Sequence, residues 1–338
     1  MTVNIIPFAV SVLPVFLFLG ALMLLDSYKL IPMRAILLAV AAGAAAGAVA
    51  YAINFSLQPA LEMDLRRYSI LVSPLIEEVL KAIYIVWLLR RNKVGFVVDA
   101  ATYGFAVGTG FAFLENILSL QIHPNPTIWT WMVRGFGTAL MHSGTTAILA
   151  MIARTLHNRS PVFRPALVLP GLLVAVVLHS LYNQFLVAPL LATALIVLVF
   201  PYIVMFLFKK SESETKSWLG TGFDTDQELL RVMRAGEVSD TPVGSYLKGL
   251  QTSFPPEVIV DMMCLLRLRA ELGIRAKGIL LMREAGFEAD ADPSLPAKLD
   301  EMRYLERSIG RTGMRALKPF IHTSTQDLWQ LNLLDGTQ

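Results

Sequence analysis

The chain has 338 residues, of which 55% are hydrophobic and only 16% are charged. Together with a mean hydropathy of +0.56, this composition excludes an ordinary soluble globular protein and predicts several membrane spans. Residues 1–210 carry 14 Lys and Arg against 7 Asp and Glu (net +7), whereas residues 211–338 carry 15 against 19 (net −4), which indicates a membrane domain followed by a mildly acidic soluble domain.

Seven apolar segments are long enough to cross a bilayer, which takes roughly 20 residues. The first segment lacks a basic start and a small-residue cleavage site, so we interpret it as a retained span and not as a removed signal peptide. The spans are predicted near residues 5–25, 32–56, 68–89, 94–120, 127–153, 165–186 and 188–208.

Basic residues alternate between the two sides of these spans. By the positive-inside rule, the richer loops lie in the cytoplasm, so we expect the N-terminus outside and the C-terminus inside. The basic residues of the richer loops are Lys29 and Arg34, then Arg90, Arg91 and Lys93, then Arg154, Arg159 and Arg164, and finally Lys209 and Lys210.

The third span carries three ionisable side chains near its middle, Glu77, Glu78 and Lys81. In a helix Lys81 follows Glu77 by four residues and Glu78 by three, so its ammonium can reach both carboxylates. A charged side chain at the bilayer centre costs about 2.5–3.5 kcal/mol even on a lenient insertion scale. Three such residues together therefore predict a functional site that faces the protein interior or a water-filled cavity.

Small residues mark close helix approaches in spans two and four. Gly43 and Gly47 form one G-x-x-x-G pattern, and Gly104 and Gly108 form another. Such patterns are typical of tight helix packing in membranes.

Spans four to six also carry polar residues that lipid would not tolerate unpaired. Estimated from position within each span, Glu77, Glu115, His142 and His179 could share one layer slightly toward the outer face. Two carboxylates and two histidines at one depth suit acid–base work on water or coordination of a metal. The main polar residues of these three spans are Glu115, Asn116, Arg134, His142, His179 and Asn183.

The region after Lys210 begins with a short polar segment, Ser211–Lys216, which we interpret as a linker. A capping-box pattern at Thr225–Glu228 predicts a helix start, Pro256 and Gly286 bound a second helix, and a third is expected over 297–309. The single cysteine, Cys264, excludes an intramolecular disulfide. No phosphate loop, metal cluster or basic patch is evident, so nucleic acid is not an expected partner, and the partner of this domain stays open.

The motifs Glu77-Glu78-x-x-Lys81, Phe111-x-x-x-Glu115-Asn116 and His179-x-x-x-Asn183, with His142 on the helix between, resemble the PrsW family. Those are intramembrane proteases related to the CAAX prenyl endopeptidases and described as glutamic-type. The resemblance spans about residues 68–186. It departs at Asn183, where the family motif often has Asp, and this favours a hydrogen-bonding role over a charged one.

The resemblance implies an intramembrane endopeptidase, without a cofactor, in the bacterial cytoplasmic membrane. It would cleave a membrane-anchored protein in the lipid bilayer, such as an anti-sigma factor or similar single-span regulator. Glu77 resembles the carboxylate that activates water, with Glu78 beside it, and Glu115 takes the place of a residue that helps to hold that water. His179 and Asn183 resemble the pair that stabilises the oxyanion, while Lys81, Arg134 and Asn116 are supporting residues.

The sequence is also compatible with other functions. The main alternative is a zinc-dependent protease with ligands from Glu77, Glu115, His142 and His179, although no H-E-x-x-H motif occurs. A serine mechanism at Ser143 lacks the expected preceding glycine. A proton-coupled transporter would use similar residues but predicts repeats and broken helices that are not evident, and a membrane sensor would cleave nothing.

These observations predict an all-α protein. We expect a polytopic membrane helix bundle of about seven spans, residues 1–210, as the protease domain. A soluble helical cytoplasmic domain, residues 211–338, is expected to follow it.

Overall fold

The computed structural model describes residues 5–26, 30–122, 127–158, 163–235, 237–287, 292–321, 329 and 334, and every regular element among them is helical. Two of the basic loop residues, Lys29 and Arg159, lie outside the described residues. The chain divides into two units, Met1–Glu212 and Ser213–Gln338.

Most helices of the first unit correspond to predicted spans, and the all-α membrane fold is confirmed. They are α1 (Ile5–Leu25), α2 (Met33–Ala60), α3 (Leu65–Leu71), α4 (Ser73–Arg90), α5 (Val97–Ile122), α6 (Ile128–Met132), a π-helical segment (Val133–Thr138), α7 (Ala139–Asn158), a 3₁₀ turn (Pro165–Val168), α8 (Leu169–Asn183) and α9 (Pro189–Ala235).

Six helical stretches of the described chain are long and apolar enough to cross a membrane: Phe8–Leu25, Met33–Ala60, Val97–Ile122, Ile128–Asn158, Pro165–Asn183 and Pro189–Gly220. The predicted third span is absent from this set. It is divided into the short α3 and the 18-residue α4, and α4 carries Glu77, Glu78, Lys81 and Arg90.

Helices α3 and α4 each begin at a local signal in the sequence. Asp64 caps α3 by accepting hydrogen bonds from the backbone N–H groups of Arg66 and Arg67. Pro74 then occupies the first turn of α4, where its missing N–H is tolerated. The chain thus restarts as a new helix four residues before Glu77.

Helix α5 lies at the centre of this unit, buried along most of its length between α2 and α7. Its glycines permit the close approach. An added Cβ would lie 1.8 Å from Val40 O at Gly110 and 2.4 Å from Ser143 Cα at Gly108, and at Gly43 of α2 it would lie 1.9 Å from Val107 O of α5. The G-x-x-x-G patterns therefore serve as packing seams, and the seam at Gly108 places α7 beside α5 at the level of His142.

The second unit contains the end of α9, a 3₁₀ turn (Glu237–Asp240), α10 (Pro242–Leu250), α11 (Pro256–Glu284) and α12 (Leu295–Ala316). Its core includes Met262, Leu265 and Leu272 of α11, packed with Leu305 of α12. The helix predicted between Pro256 and Gly286 is confirmed, with Gly286 at φ 81° ending it, and α12 contains the helix predicted over 297–309.

Two local predictions in this region were wrong. Residues 211–216 are helical and form no irregular linker, and no helix begins at Thr225, because α9 continues to Ala235. The segment 202–219 contains neither Pro nor Gly. Its Glu and Lys residues are good helix formers, so a polar composition alone does not end the helix.

We expect Gly110→Ala to destabilise the membrane unit, because its Cβ would collide with the backbone of α2. Overpacking of this kind costs about 1–3 kcal/mol, and backbone has little room to move. The matched control is Gly20→Ala, where no atom lies within 4 Å of the added Cβ. Thermal unfolding in detergent should show a lower Tm for Gly110→Ala only; equal Tm values would contradict the packing described.

Candidate active site

Helix α4 directs an ion pair into the interior of the membrane unit. Lys81 Nζ lies 2.6 Å from Glu78 Oε1, and both side chains are 0% exposed. The two residues are one helical turn apart, so α4 itself sets their separation. Two buried charges lose their hydration, and the pair persists only if further polar groups surround it.

Those further groups come from α7 and α8. Glu78 Oε1 also accepts a hydrogen bond from Thr145 Oγ1 at 3.1 Å and lies 2.9 Å from His179 Nδ1. Because an ionised carboxylate only accepts, Nδ1 of His179 must carry a proton. In the neutral ring, Nε2 of His179 is then an acceptor. Glu78 thereby fixes which nitrogen of His179 is available to the site.

That free nitrogen faces Glu77. His179 Nε2 lies 3.8 Å from Glu77 Oε2, and the Glu77 side chain is 13% exposed. Both atoms are acceptors and the separation exceeds a hydrogen bond. One water molecule that donates a hydrogen bond to each atom would bridge the gap, with its lone pairs directed away from both.

His142 joins α4 to a third carboxylate. Its Nδ1 lies 3.3 Å from Lys81 Nζ, and its Nε2 lies 2.7 Å from Glu115 Oε2. An ammonium donates and cannot accept, so Nδ1 is the acceptor and Nε2 carries the proton. The ring contacts Phe111 and His179, with centroid distances of 5.0 and 4.8 Å, and it meets the His179 ring edge to face at 88°.

Arg134 completes the cluster from the N-terminal side of α7. Its Nη2 donates to Glu115 Oε1 at 3.0 Å and its Nε donates to Asn116 Oδ1 at 3.1 Å. Asn116 in turn donates to Ser11 O of α1 at 2.7 Å. The side chains of Arg134 and Glu115 are 21% and 37% exposed, so this end of the cluster is its open end.

The π-helical segment explains how Arg134 and His142 reach the same carboxylate. Eight residues separate them, which in an unbroken α-helix leaves them about 80° apart around the axis. The N–H of Ala139 bonds to Arg134 O, five residues back, so the turn contains one extra residue. Arg134 and His142 are then oriented as if seven residues separated them, which leaves only about 20° between them around the helix axis.

Asn183 is placed differently from the other predicted residues. Its Nδ2 donates to Ser69 O of α3 at 2.8 Å, so this hydrogen of the amide is used to hold α8 against α3. His179 and Asn183 share a face of α8, as their i, i+4 spacing predicts. An amide has two N–H donors, so to act on an oxyanion Asn183 would use the second one.

Contacts thus link most of the residues singled out in the sequence. Glu115, His142, Lys81, Glu78, His179 and Glu77 follow one another in a continuous series of contacts. Sequence reasoning missed Thr145, Ser73 and Asn54, which bond to the two glutamates. The i, i+4 spacing of Ser73 and Glu77 could have predicted their contact. Asn54 lies on another helix, so no local spacing indicated its contact with Glu77.

Three of these side chains could hold a metal ion. Single donor atoms of Glu77, His142 and His179 lie within 4.8 Å of one another, and His₂Glu is a known catalytic zinc set. His179 fits, because Glu78 holds its Nδ1 as a carboxylate holds a zinc-bound histidine. His142 fits less well, because its Nδ1 faces the Lys81 ammonium at 3.3 Å and its protonated Nε2 faces Glu115 at 2.7 Å.

We expect Lys81→Met to destabilise the protein by about 3–5 kcal/mol, because it leaves a buried carboxylate without its countercharge. Lys81→Met combined with Glu78→Gln should recover most of that loss. The free energy of unfolding in detergent, measured for both single variants and the double variant, gives the coupling. Additive effects would show that the two residues do not act as a pair.

Comparison with known proteins agrees with this cluster. The model of the PrsW family, described as intramembrane metalloproteases, matches residues 31–208, which is more than half of the chain. The matched region contains every residue of the site described above except Ser11. No curated protein and no solved structure matches. The chain is therefore an integral, multi-pass membrane protein and a peptide hydrolase whose substrate is a membrane protein, and it belongs to the PrsW family.

Proposed function

We propose that the chain hydrolyses a peptide bond of a membrane-anchored protein with a water molecule activated by Glu77. The observation that carries this proposal is the 3.8 Å separation of Glu77 Oε2 from His179 Nε2. Two acceptors at that distance are suited to holding one water between them. The partial exposure of Glu77 allows that water to meet a substrate carbonyl.

In the proposed reaction, Glu77 takes a proton from the water as its oxygen attacks the carbonyl carbon. The protonated Glu77 then passes this proton to the departing amine, so the carboxylate is restored. A positioned general base contributes about 10²–10⁴-fold in rate. Glu78, which is fully buried and paired, keeps His179 in the tautomer that accepts from water.

Charge on the carbonyl oxygen needs donors in the transition state. Asn183 is the candidate implied by the family resemblance, and the second N–H of its amide would donate to the substrate oxygen while the first stays on Ser69 O. The resemblance implies His179 as its partner, but a His179 whose Nε2 accepts from the water cannot donate to the oxyanion in the same step, so the Asn183 amide carries this role. Arg134 and Asn116 would support this end by holding Glu115, whose carboxylate in turn lies against His142.

A metal-dependent hydrolysis is the second candidate, favoured by the family description and by the grouping of Glu77, His142 and His179. These three residues would hold the ion, with Glu115 nearby. A bound zinc ion would lower the pKa of its water to about 7. For this candidate Lys81 must first release His142, and that requirement is why we favour direct activation by Glu77.

The resemblance favours a single-span regulator, such as an anti-sigma factor, as the substrate. From the alternation of basic loops we propose that the N-terminus lies outside the cytoplasmic membrane and residues 211–338 inside the cell. On this proposal the site lies in the outer half of the bilayer. Residues 1–210 would then carry the catalytic machinery, and the second unit would serve a partner of its own.

We expect Glu77→Gln to lower turnover by about 10²–10⁴-fold, because the amide keeps the shape of the side chain but cannot take a proton from water. The assay is cleavage of single-span substrates by purified protein in liposomes. Glu62→Gln is the matched control, since Glu62 is exposed in the turn after α2. Turnover within tenfold of the parent for Glu77→Gln would contradict the proposed role of this residue.

A further inference from the structure

A hydrogen-bond network outside the family-like motifs surrounds the other oxygen of Glu77. Asn54 of α2 donates from Nδ2 to Glu77 Oε1 at 3.3 Å and to Ser73 Oγ at 3.0 Å. The Ser73 hydroxyl also donates to Glu77 Oε1. Tyr68 of α3 donates from its hydroxyl to Asn54 Oδ1 at 2.8 Å. Two side chains thus bond to one carboxylate oxygen, and Tyr68 of α3 holds one of them.

The orientation of the Asn54 amide follows from these partners. The Tyr68 hydroxyl is held at Oδ1, so the two N–H donors point to Ser73 and Glu77. The amide has no other described partner, and its neighbours on α2 face outward: Tyr51, Ile53 and Phe55 are all exposed large hydrophobic residues. A polar residue in such a stretch is costly unless it serves a specific contact.

The effect on Glu77 is to distinguish its two oxygens. Oε1 receives two donors, which occupy the lone pairs that would otherwise compete for water. Oε2 faces His179 Nε2 across the gap described above. A carboxylate held by one oxygen cannot rotate freely about its terminal bond, so the second oxygen keeps one direction.

We propose that Asn54 is a positioning residue for hydrolysis: it holds Glu77 through Oε1 so that Oε2 alone is presented to water. This inference rests on the proposed function, in which Glu77 is the base. The competing explanation is that Asn54 only fastens α2 to α3 and α4. The two differ in what an aspartate at this position would do.

Asn54→Asp and Asn54→Ala separate the explanations. Aspartate keeps the size of the side chain and the acceptor for Tyr68 but places a second carboxylate against Glu77. Positioning therefore predicts that Asn54→Asp lowers kcat more than Asn54→Ala, which itself should lower kcat by about 10–100-fold for one lost charged hydrogen bond. KM should change little in either variant. A fastening role predicts the opposite order, with Asn54→Ala the worse.

The measurement is kcat, KM and Tm for the full chain in liposomes, with Ser56→Ala as the matched control. Ser56 lies two residues along α2 and is exposed, and its hydroxyl donates to Ala52 O of its own helix. An Asn54→Asp variant with kcat near that of the parent, or losses of kcat that follow Tm in both variants, would overturn the proposal. If the parent protein is active and Glu77→Gln is inactive, the proposed function stands even when the proposal for Asn54 fails.

A second readout does not depend on proteolysis. Glu77 should react faster with a hydrophobic carbodiimide in Asn54→Ala than in the parent, because Oε1 has lost a donor. Mass spectrometry of the labelled peptide gives the rate. We expect a several-fold increase at Glu77 in Asn54→Ala and none in Ser56→Ala. Equal rates in all three proteins would overturn the positioning role, whether or not the protein cleaves a substrate.

Discussion

The arrangement of the site depends on the buried ion pair between Glu78 and Lys81. Neither side chain is exposed, so each charge relies on the other and on the polar groups that α7 and α8 supply. Thr145 and His179 also bond to Glu78 Oε1, and His142 lies against Lys81. The pair therefore fixes how three helices meet, and it does so by chemistry that lipid cannot replace.

Two adjacent glutamates have different environments because neighbouring residues on a helix point about 100° apart. Glu78 is fully buried, and its Oε1 contacts Lys81, Thr145 and His179. Glu77 lies at the margin, with Oε1 bonded to Ser73 and Asn54 and with Oε2 facing His179. On the proposed mechanism, the enclosed carboxylate sets the tautomer of the histidine, and the marginal one does the proton transfer.

Sequence reasoning was strongest where local spacing determines the outcome. The i, i+3 spacing of Glu78 and Lys81 predicted their contact, and charged residues in apolar spans predicted that α4, α5, α7 and α8 meet. It failed where partners are distant in sequence or where an irregular turn changes the phase of a helix. Asn54 reaches Glu77 from another helix, and the extra residue of the π turn aligns Arg134 with His142. The polar segment after Lys210 misled because composition does not end a helix that lacks Pro and Gly.

On the proposed mechanism Glu77 activates water directly, and Lys81 stays in contact with His142. The most direct test of this claim is proteolysis by the purified full chain after exhaustive chelation, with the zinc content of the same sample measured by elemental analysis. Turnover that persists at a zinc content far below one ion per chain is the predicted result. Turnover that disappears with the metal and returns when zinc is added would contradict the claim and assign Glu77, His142 and His179 to a metal centre.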